Sequence, residues 1–196
     1  MTEPRHIRVV LSGGIGTGKS TVAEILKARG IPVIHADMIG HAVLEPEGEA
    51  FPAVAARWPE VVQHGRVDRQ ALAAIVFEHP QALAELESMT HPAIAARILN
   101  LVAAESGTEI VVVELPLLLP ILGAGWVRVV VDAPLGDREQ RLLARGMESA
   151  DLQARMGAQP SEAEWREAAD YLVSNHGSPE DLEEEVDRLL AWMRKS

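Results

Sequence analysis

The chain has 196 residues, 47% of them hydrophobic and 24% charged, the make-up of one globular domain able to bury a core without staples. It contains no cysteine, which excludes disulfides and thiolate metal sites and fits a reducing compartment. A formal net charge of −11 argues against non-specific attraction to nucleic acid or to an anionic membrane. A small anion is not excluded, because backbone N–H groups bind phosphate even inside an acidic protein.

The opening segment MTEPRHIRVVLSGG has one short apolar run that soon meets glycines. It is too short for a signal peptide or a membrane span, so a soluble, cytoplasmic protein is expected. The β-branched runs at 7–11, 31–34, 110–113 and 126–131, with a shorter one at 171–173, suit strands buried on both faces of a parallel sheet. Helical stretches at 20–29 and 134–145 lie between them, and the alternation predicts a doubly wound α/β fold.

Two regions break the alternation. From 49 to 105 the pattern reads as helices only, with VDRQALAAIVF, PQALAELESM and HPAIAARILNLVAAE the clearest. This predicts a helical insertion beside the sheet, within a single domain spanning 1–196. A second helical excursion, 138–169, separates the fourth strand from the fifth. Ser149, Ser161 with Glu164, and Ser178 before Pro179 read as helix starts. The acids Glu180, Asp181, Glu183, Glu184, Glu185 and Asp187 read as a solvated face near a helix N-terminus. No internal repeat or low-complexity linker is present.

The segment Gly13-Gly14-Ile15-Gly16-Thr17-Gly18-Lys19-Ser20 matches G-x-x-x-x-G-K-[ST]. Its glycines let the backbone curl so that successive N–H groups converge on phosphate oxygens. Lys19 adds a mobile charge at the β and γ phosphates, the Ser20 hydroxyl suits a magnesium ion, and the helix beginning there adds its positive end. The pattern follows a predicted strand and opens a predicted helix, which is the context of a nucleotide-binding phosphate loop. Such loops serve kinases, GTPase switches and motor ATPases alike.

Asp37 stands just past the second predicted strand, where strand C-termini converge on a ligand crevice. A carboxylate there can accept or orient the proton of a hydroxyl acceptor; it can equally cap the next helix. Arg138, Arg141 and Arg145 fall on one helical face, and Arg155 follows on the next helix. A guanidinium stripe suits a lid that neutralises phosphate charge, or else a solvated face paired with Glu139. Glu114 can organise magnesium through water or cap the turn before Pro116. No Asn-Lys-x-Asp guanine-reading motif occurs, which disfavours a GTPase switch.

From about Arg8 to Leu190 the sequence resembles the dephospho-coenzyme A kinase family of small P-loop kinases. GGIGTGKSTVAEIL is similar to that family's opening and VIHAD to its second-strand motif. GRVDRQALAAIVFEHPQALAELESMTHPAI resembles its central region and ELPLLL its Pro-Leu-Leu segment. RLLARGMESADLQARMGAQ looks like its lid and AADYLVSNHGSPEDL like its closing segment.

The resemblance implies a P-loop, nucleotide-kinase-like sheet with a helical substrate insertion and a helical lid. It also implies transfer of the ATP γ-phosphate to the ribose 3′-hydroxyl of dephospho-coenzyme A with Mg2+. By position, Gly14 and Gly16, Thr17, Gly18, Lys19, Ser20 and Thr21 would surround the ATP phosphates, and Asp37 would meet the acceptor hydroxyl. Asp68, Arg69 and His91 would form the coenzyme side. Arg141, Arg145 and Arg155 would act from the lid, and Asn175 would lie near adenine. His91, before Pro92, can alternatively cap a helix.

Two positions depart from the family pattern: His35 stands where an aspartate is usual, and Pro120 where a glutamate is. The first leaves magnesium more dependent on the phosphates, Ser20 and Glu114. Other readings are a kinase for another small hydroxylated metabolite, such as a nucleoside or sugar acid, and a nucleotide switch that transfers nothing.

Overall fold

The computed structural model describes residues 6–105, 107–116, 118 and 121–195; Pro120 lies outside the described residues. In chain order the elements begin with β1 (Ile7–Ser12), α1 (Lys19–Ala28), β2 (Val33–His35) and α2 (Ala36–Ala42). There follow α3 (Phe51–Arg57), a 3₁₀ turn (Pro59–Val61), β3 (Val62–Gln63), β4 (Arg66–Val67), α4 (Arg69–Glu78) and α5 (Pro80–Ala104). The last part holds β5 (Ile110–Glu114), β6 (Val127–Asp132), α6 (Leu135–Ala144), α7 (Ser149–Gly157), α8 (Glu162–Glu167), β7 (Tyr171–Ser174) and α9 (Pro179–Met193).

Five strands form one sheet in the order β2-β5-β1-β6-β7. β1 runs parallel to β5 and to β6, and β6 runs parallel to β7. The continuous apolar runs are buried on both faces, as expected of such a sheet: Val9, Val10 and Leu11 in β1 and Val111, Val112 and Val113 in β5 are all buried. On one face Val22, Ala23 and Leu26 of α1 pack with Leu182, Val186, Leu189, Leu190 and Met193 of α9 over Val9, Leu11, Val112, Val129 and Val173. The α9 residues recur at helical spacing, so one stripe of that helix faces the sheet. The chain leaves β1 toward the β5 side and returns later to the β6 side, which puts the C-terminal end of β1 at a topological switch point.

The chain divides into two compact units, Met1–Ile34 with Glu105–Ser196, and His35–Ala104. The second has its own core of Val54, Trp58, Val61, Leu72, Val76 and Ala82, with Leu83, Leu86 and Met89 packed against it. Only helices were expected between 49 and 105, and the structure adds the antiparallel hairpin β3–β4. Its two-residue turn is His64-Gly65, with φ of 52° and 76°. Two consecutive positive φ angles are what a tight hairpin requires, and histidine is one of the side chains that tolerates that region.

PQALAELESM and HPAIAARILNLVAAE are one helix rather than two, because α5 runs through Pro92 for 25 residues. An interior proline costs about 3 kcal/mol. Packing on both sides of it, by Leu83 and Leu86 before and by the fully buried Ile98 after, outweighs that cost. His91 therefore sits inside a helix and caps nothing. Ser149 is likewise the first residue of α7 and not its cap; Glu148 occupies the cap position without a side-chain bond. The other two starts are as expected: Ser161 with Glu164, and Ser178 with Asp181, each form a reciprocal capping box. The Ser178 backbone and hydroxyl hold the Asp181 carboxyl below its ordinary pKa.

A Cβ on Gly65 would meet no atom within 4 Å, so only its backbone angle resists substitution. Gly65→Ala is expected to lower stability by about 1–2 kcal/mol. Gly136→Ala, inside α6 and equally uncrowded, should raise it by about 0.5–1 kcal/mol. Paired denaturation curves check both signs.

Candidate active site

The phosphate loop joins β1 to α1 at the switch point. Gly18 is the N-cap of α1 with φ 97°, so it offers no side-chain cap, and the first turn of the helix carries no acid. The backbone N–H groups of that turn are left for an anion. A Cβ on Gly18 would run into the Asn175 amide; glycine is needed there for space as well as for angle.

The loop is braced from within and from outside. Thr17, almost wholly buried, donates its hydroxyl to the Gly14 carbonyl at 2.9 Å. Lys19 Nζ donates to the carbonyls of Gly13 and Gly14 at 2.8 and 3.2 Å, so the ammonium lies folded along the loop. The buried Asn175, just past β7, gives its Nδ2 hydrogen to the Thr17 carbonyl at 2.7 Å. Arg141 reaches from α6 to the Gly16 carbonyl at 3.4 Å and the Asn175 carbonyl at 3.2 Å. Asn175, read from the sequence as an adenine-side residue, thus sits directly against the loop.

Ser20 and Thr21 are exposed in the first turn of α1. The Ser20 hydroxyl donates to Glu114 Oε1 at 3.1 Å, across from the end of β5. Of the two readings of Glu114, this contact favours a carboxylate acting beside the Ser20 hydroxyl over a turn cap. The arginine stripe divides: Arg138 is buried, Arg141 half-buried, and Arg145 ends α6 as an exposed C-cap. Arg155 is exposed on α7 and pairs with Asp151 at 3.0 Å.

In the second unit, Asp37 is the second residue of α2, exposed, two positions beyond β2. His35, not Asp37, holds the N-cap position of that helix, which removes the capping account of Asp37. Asp68 caps α4, its Oδ1 accepting from Gln70 N at 3.0 Å and Ala71 N at 3.1 Å. Arg69 is exposed on the first turn of that helix, and His91 is half-buried within α5.

Two contacts were not foreseen. Arg138 Nε donates to the Ile15 carbonyl at 2.9 Å, and Gln159 Oε1 accepts the Ile15 N–H at 2.7 Å. The helical spacing of Arg138 from Arg141 contained the first; a glutamine after a short helix carries no comparable signal. Burial pulls the Arg138 guanidinium below its ordinary pKa, while the charges of Glu162, Asp132 and Glu139 work the other way.

What this arrangement can do is bind a polyphosphate on backbone N–H groups with Lys19 in reach, beside a hydroxyl–carboxylate pair suited to a hard cation. Residues 7–181 match the family model described as dephospho-CoA kinase. The chain is 40% identical to a dephospho-CoA kinase of Anaeromyxobacter dehalogenans, over 96% of this chain and 93% of that one. Among solved structures it superposes on TT1252 from Thermus thermophilus with a TM-score of 0.84 at 36% identity, covering 96% of this chain and 98% of the other. It superposes on a dephospho-CoA kinase from Campylobacter jejuni with a TM-score of 0.65 at 25% identity, covering 97% and 99%. Matched in sequence and in fold over almost its whole length, the chain belongs to the dephospho-CoA kinase family.

Proposed function

We infer that this chain is an ATP-dependent phosphotransferase that moves the γ-phosphate of ATP to the ribose 3′-hydroxyl of dephospho-coenzyme A, giving coenzyme A and ADP. The observation that carries the reading is the braced phosphate loop in a chain matched to this family from residue 7 to 181. The acceptor oxygen forms a bond to the γ-phosphorus as the bond from that phosphorus to the β-γ bridging oxygen breaks. The hydroxyl proton passes to a carboxylate or to water.

Asp37 is the carboxylate assigned to that hydroxyl. The transition state is loose, so holding the acceptor in line matters more than basicity. The N–H groups from Gly16 to Thr21, with Gly14 beside them, cradle the phosphates, and Lys19 swings from the loop carbonyls to the β and γ oxygens. Ser20 and Glu114 fit Mg2+, since both present hard oxygen donors. Among the described residues no group of three or more His, Asp or Glu could hold the ion alone, so nucleotide oxygens would complete its shell. When bound, the ion neutralises charge on the phosphates.

Arg145 and Arg155 are the lid arginines. Arg145 makes no pair among the described residues, and an exposed pair such as Arg155–Asp151 is worth little and exchanges readily. Asn175 joins the nucleotide side, while Asp68, Arg69 and His91 belong to the coenzyme side. The cytoplasm is the proposed compartment; among the described residues no helix is long and apolar enough to cross a membrane.

ADP release from ATP and Mg2+, with and without dephospho-coenzyme A, tests the reaction, with the product identified by mass spectrometry. Coenzyme A formed in step with ADP supports it; turnover only with another hydroxylated acceptor moves the substrate assignment. Lys19→Ala should lower kcat/KM by about 10²–10³-fold through lost phosphate stabilisation. Asp37→Asn should lower kcat by roughly 10²-fold or more with the ATP KM little changed, and a selective loss of ATP binding would reverse that role. His35→Asp should reduce the Mg2+ concentration needed for half-maximal rate; an unchanged magnesium titration counts against the proposed effect of His35.

A further inference from the structure

We propose that Arg138 is a positioning residue that sets the orientation of the Ile15–Gly16 peptide and thereby aims the Gly16 N–H at the nucleotide phosphates. The proposal rests on the reading of this loop as an ATP site. Arg138 is only 7% exposed, on a helix whose other arginines lie nearer solvent. Its Nε donates to the Ile15 carbonyl at 2.9 Å, and it forms no ion pair with a carboxylate among the described residues. A buried cation without a paired anion is costly, and the structure keeps it for one backbone oxygen of the loop.

The geometry gives that bond its consequence. A peptide unit is planar and trans, so its carbonyl and its N–H point in opposite directions. Holding the Ile15 oxygen toward α6 turns the Gly16 hydrogen the other way, toward the interior of the loop. Gly16 has φ 79° and, lacking a Cβ, could accept the flipped peptide as well; a side chain must choose for it.

The grip is tight on every side. A Cβ on Gly14 would stand 2.6 Å from Arg138 Nη2, and one on Gly16 would stand 3.0 Å from the Arg138 carbonyl. Gln159 takes the Ile15 N–H, so both polar groups of Ile15 are held by side chains from the segment after β6. Asn175 repeats the device two residues on, holding the Thr17 carbonyl and so aiming the Gly18 N–H.

The test compares Arg138→Met and Arg138→Lys with the unaltered enzyme. ATP, ADP and adenosine affinities are read by calorimetry without acceptor, and steady-state kinetics and melting curves are recorded alongside. Arg138→Met should weaken ATP and ADP by about 10–100-fold, the ratio corresponding to a lost hydrogen bond from a charged donor. Adenosine, which has no phosphate, should bind as before. Arg138→Lys should recover part of the loss, since one donor still reaches the carbonyl.

ATP affinity within twofold of normal in folded Arg138→Met would overturn the proposal, as would equal losses for ATP and adenosine. If Arg138→Met does not fold, Arg138→Lys decides alone. An ATP-selective loss of several-fold supports the role, and unchanged constants refute it. An unaltered enzyme that binds ATP but does not phosphorylate dephospho-coenzyme A would sink the functional reading and leave this comparison intact; one that binds no ATP would overturn both.

Discussion

A backbone that turns its N–H groups inward to meet phosphate must turn its carbonyls outward, and a buried carbonyl needs a donor. For the first loop carbonyls the donors are local, Thr17 and Lys19; for the next three they come from far along the chain. Arg138 holds Ile15, Arg141 reaches Gly16, and Asn175 holds Thr17. The order of the sheet makes this possible: β6 lies beside β1 and β7 beside β6, so α6 and the residue after β7 arrive at the outer side of the loop. The shape of the loop is thus a property of the fold's second half as much as of its own glycine-rich sequence.

The sheet supplies the rigidity that such bracing requires. β1 is buried on both faces and bonded on both edges, and the loop begins where it ends. Fully burying a valine or leucine side chain contributes about 1.5–3 kcal/mol, and several such residues flank the start of the loop. A small displacement there would move every N–H in the ring, so the core of α1, α9 and the central strands belongs to the binding site in an energetic sense. Asp68 shows the opposite economy: it is committed to capping α4, so any contact it makes with a coenzyme must coexist with, or compete against, that cap.

The legible parts of the sequence were those with a local physical signature. Glycine spacing marked the phosphate loop, β-branched runs marked the five sheet strands to within two residues at either end, and Ser-x-x-Glu and Ser-Pro marked two helix starts. The hairpin escaped because its strands are two residues each and its turn carries His64 where asparagine is the usual sign. Pro92 misled in the other direction, since tertiary packing kept α5 whole. At the site, Lys19 and Ser20 could be placed from spacing alone. The contacts of Asn175 and Gln159 could not, because they join residues 158 and 144 positions apart, and nothing local encodes such a distance. Arg138 was visible as part of a stripe, but which arginines point inward depends on how α6 is rolled against the sheet.

That roll also bears on how an acidic chain can receive an anion. With a net charge of −11, the average field repels ATP, yet screening limits that repulsion to about 8–10 Å at ordinary ionic strength. Many of the acids are engaged elsewhere: Glu183 and Asp187 with Arg29, Glu184 and Glu185 with Arg188, Asp181 in a capping box. Around the loop the fold gathers Lys19, Arg138 and Arg141, and the first turn of α1 carries no acid. Within a screening length, then, a phosphate meets the local set of cations and N–H dipoles and little of the global charge. Glu114 is the instructive acid among them. It accepts the Ser20 hydroxyl, and a divalent cation bound there would turn its charge from a repulsion into a ligand, so an acid that opposes a free anion would favour the metal salt of that anion.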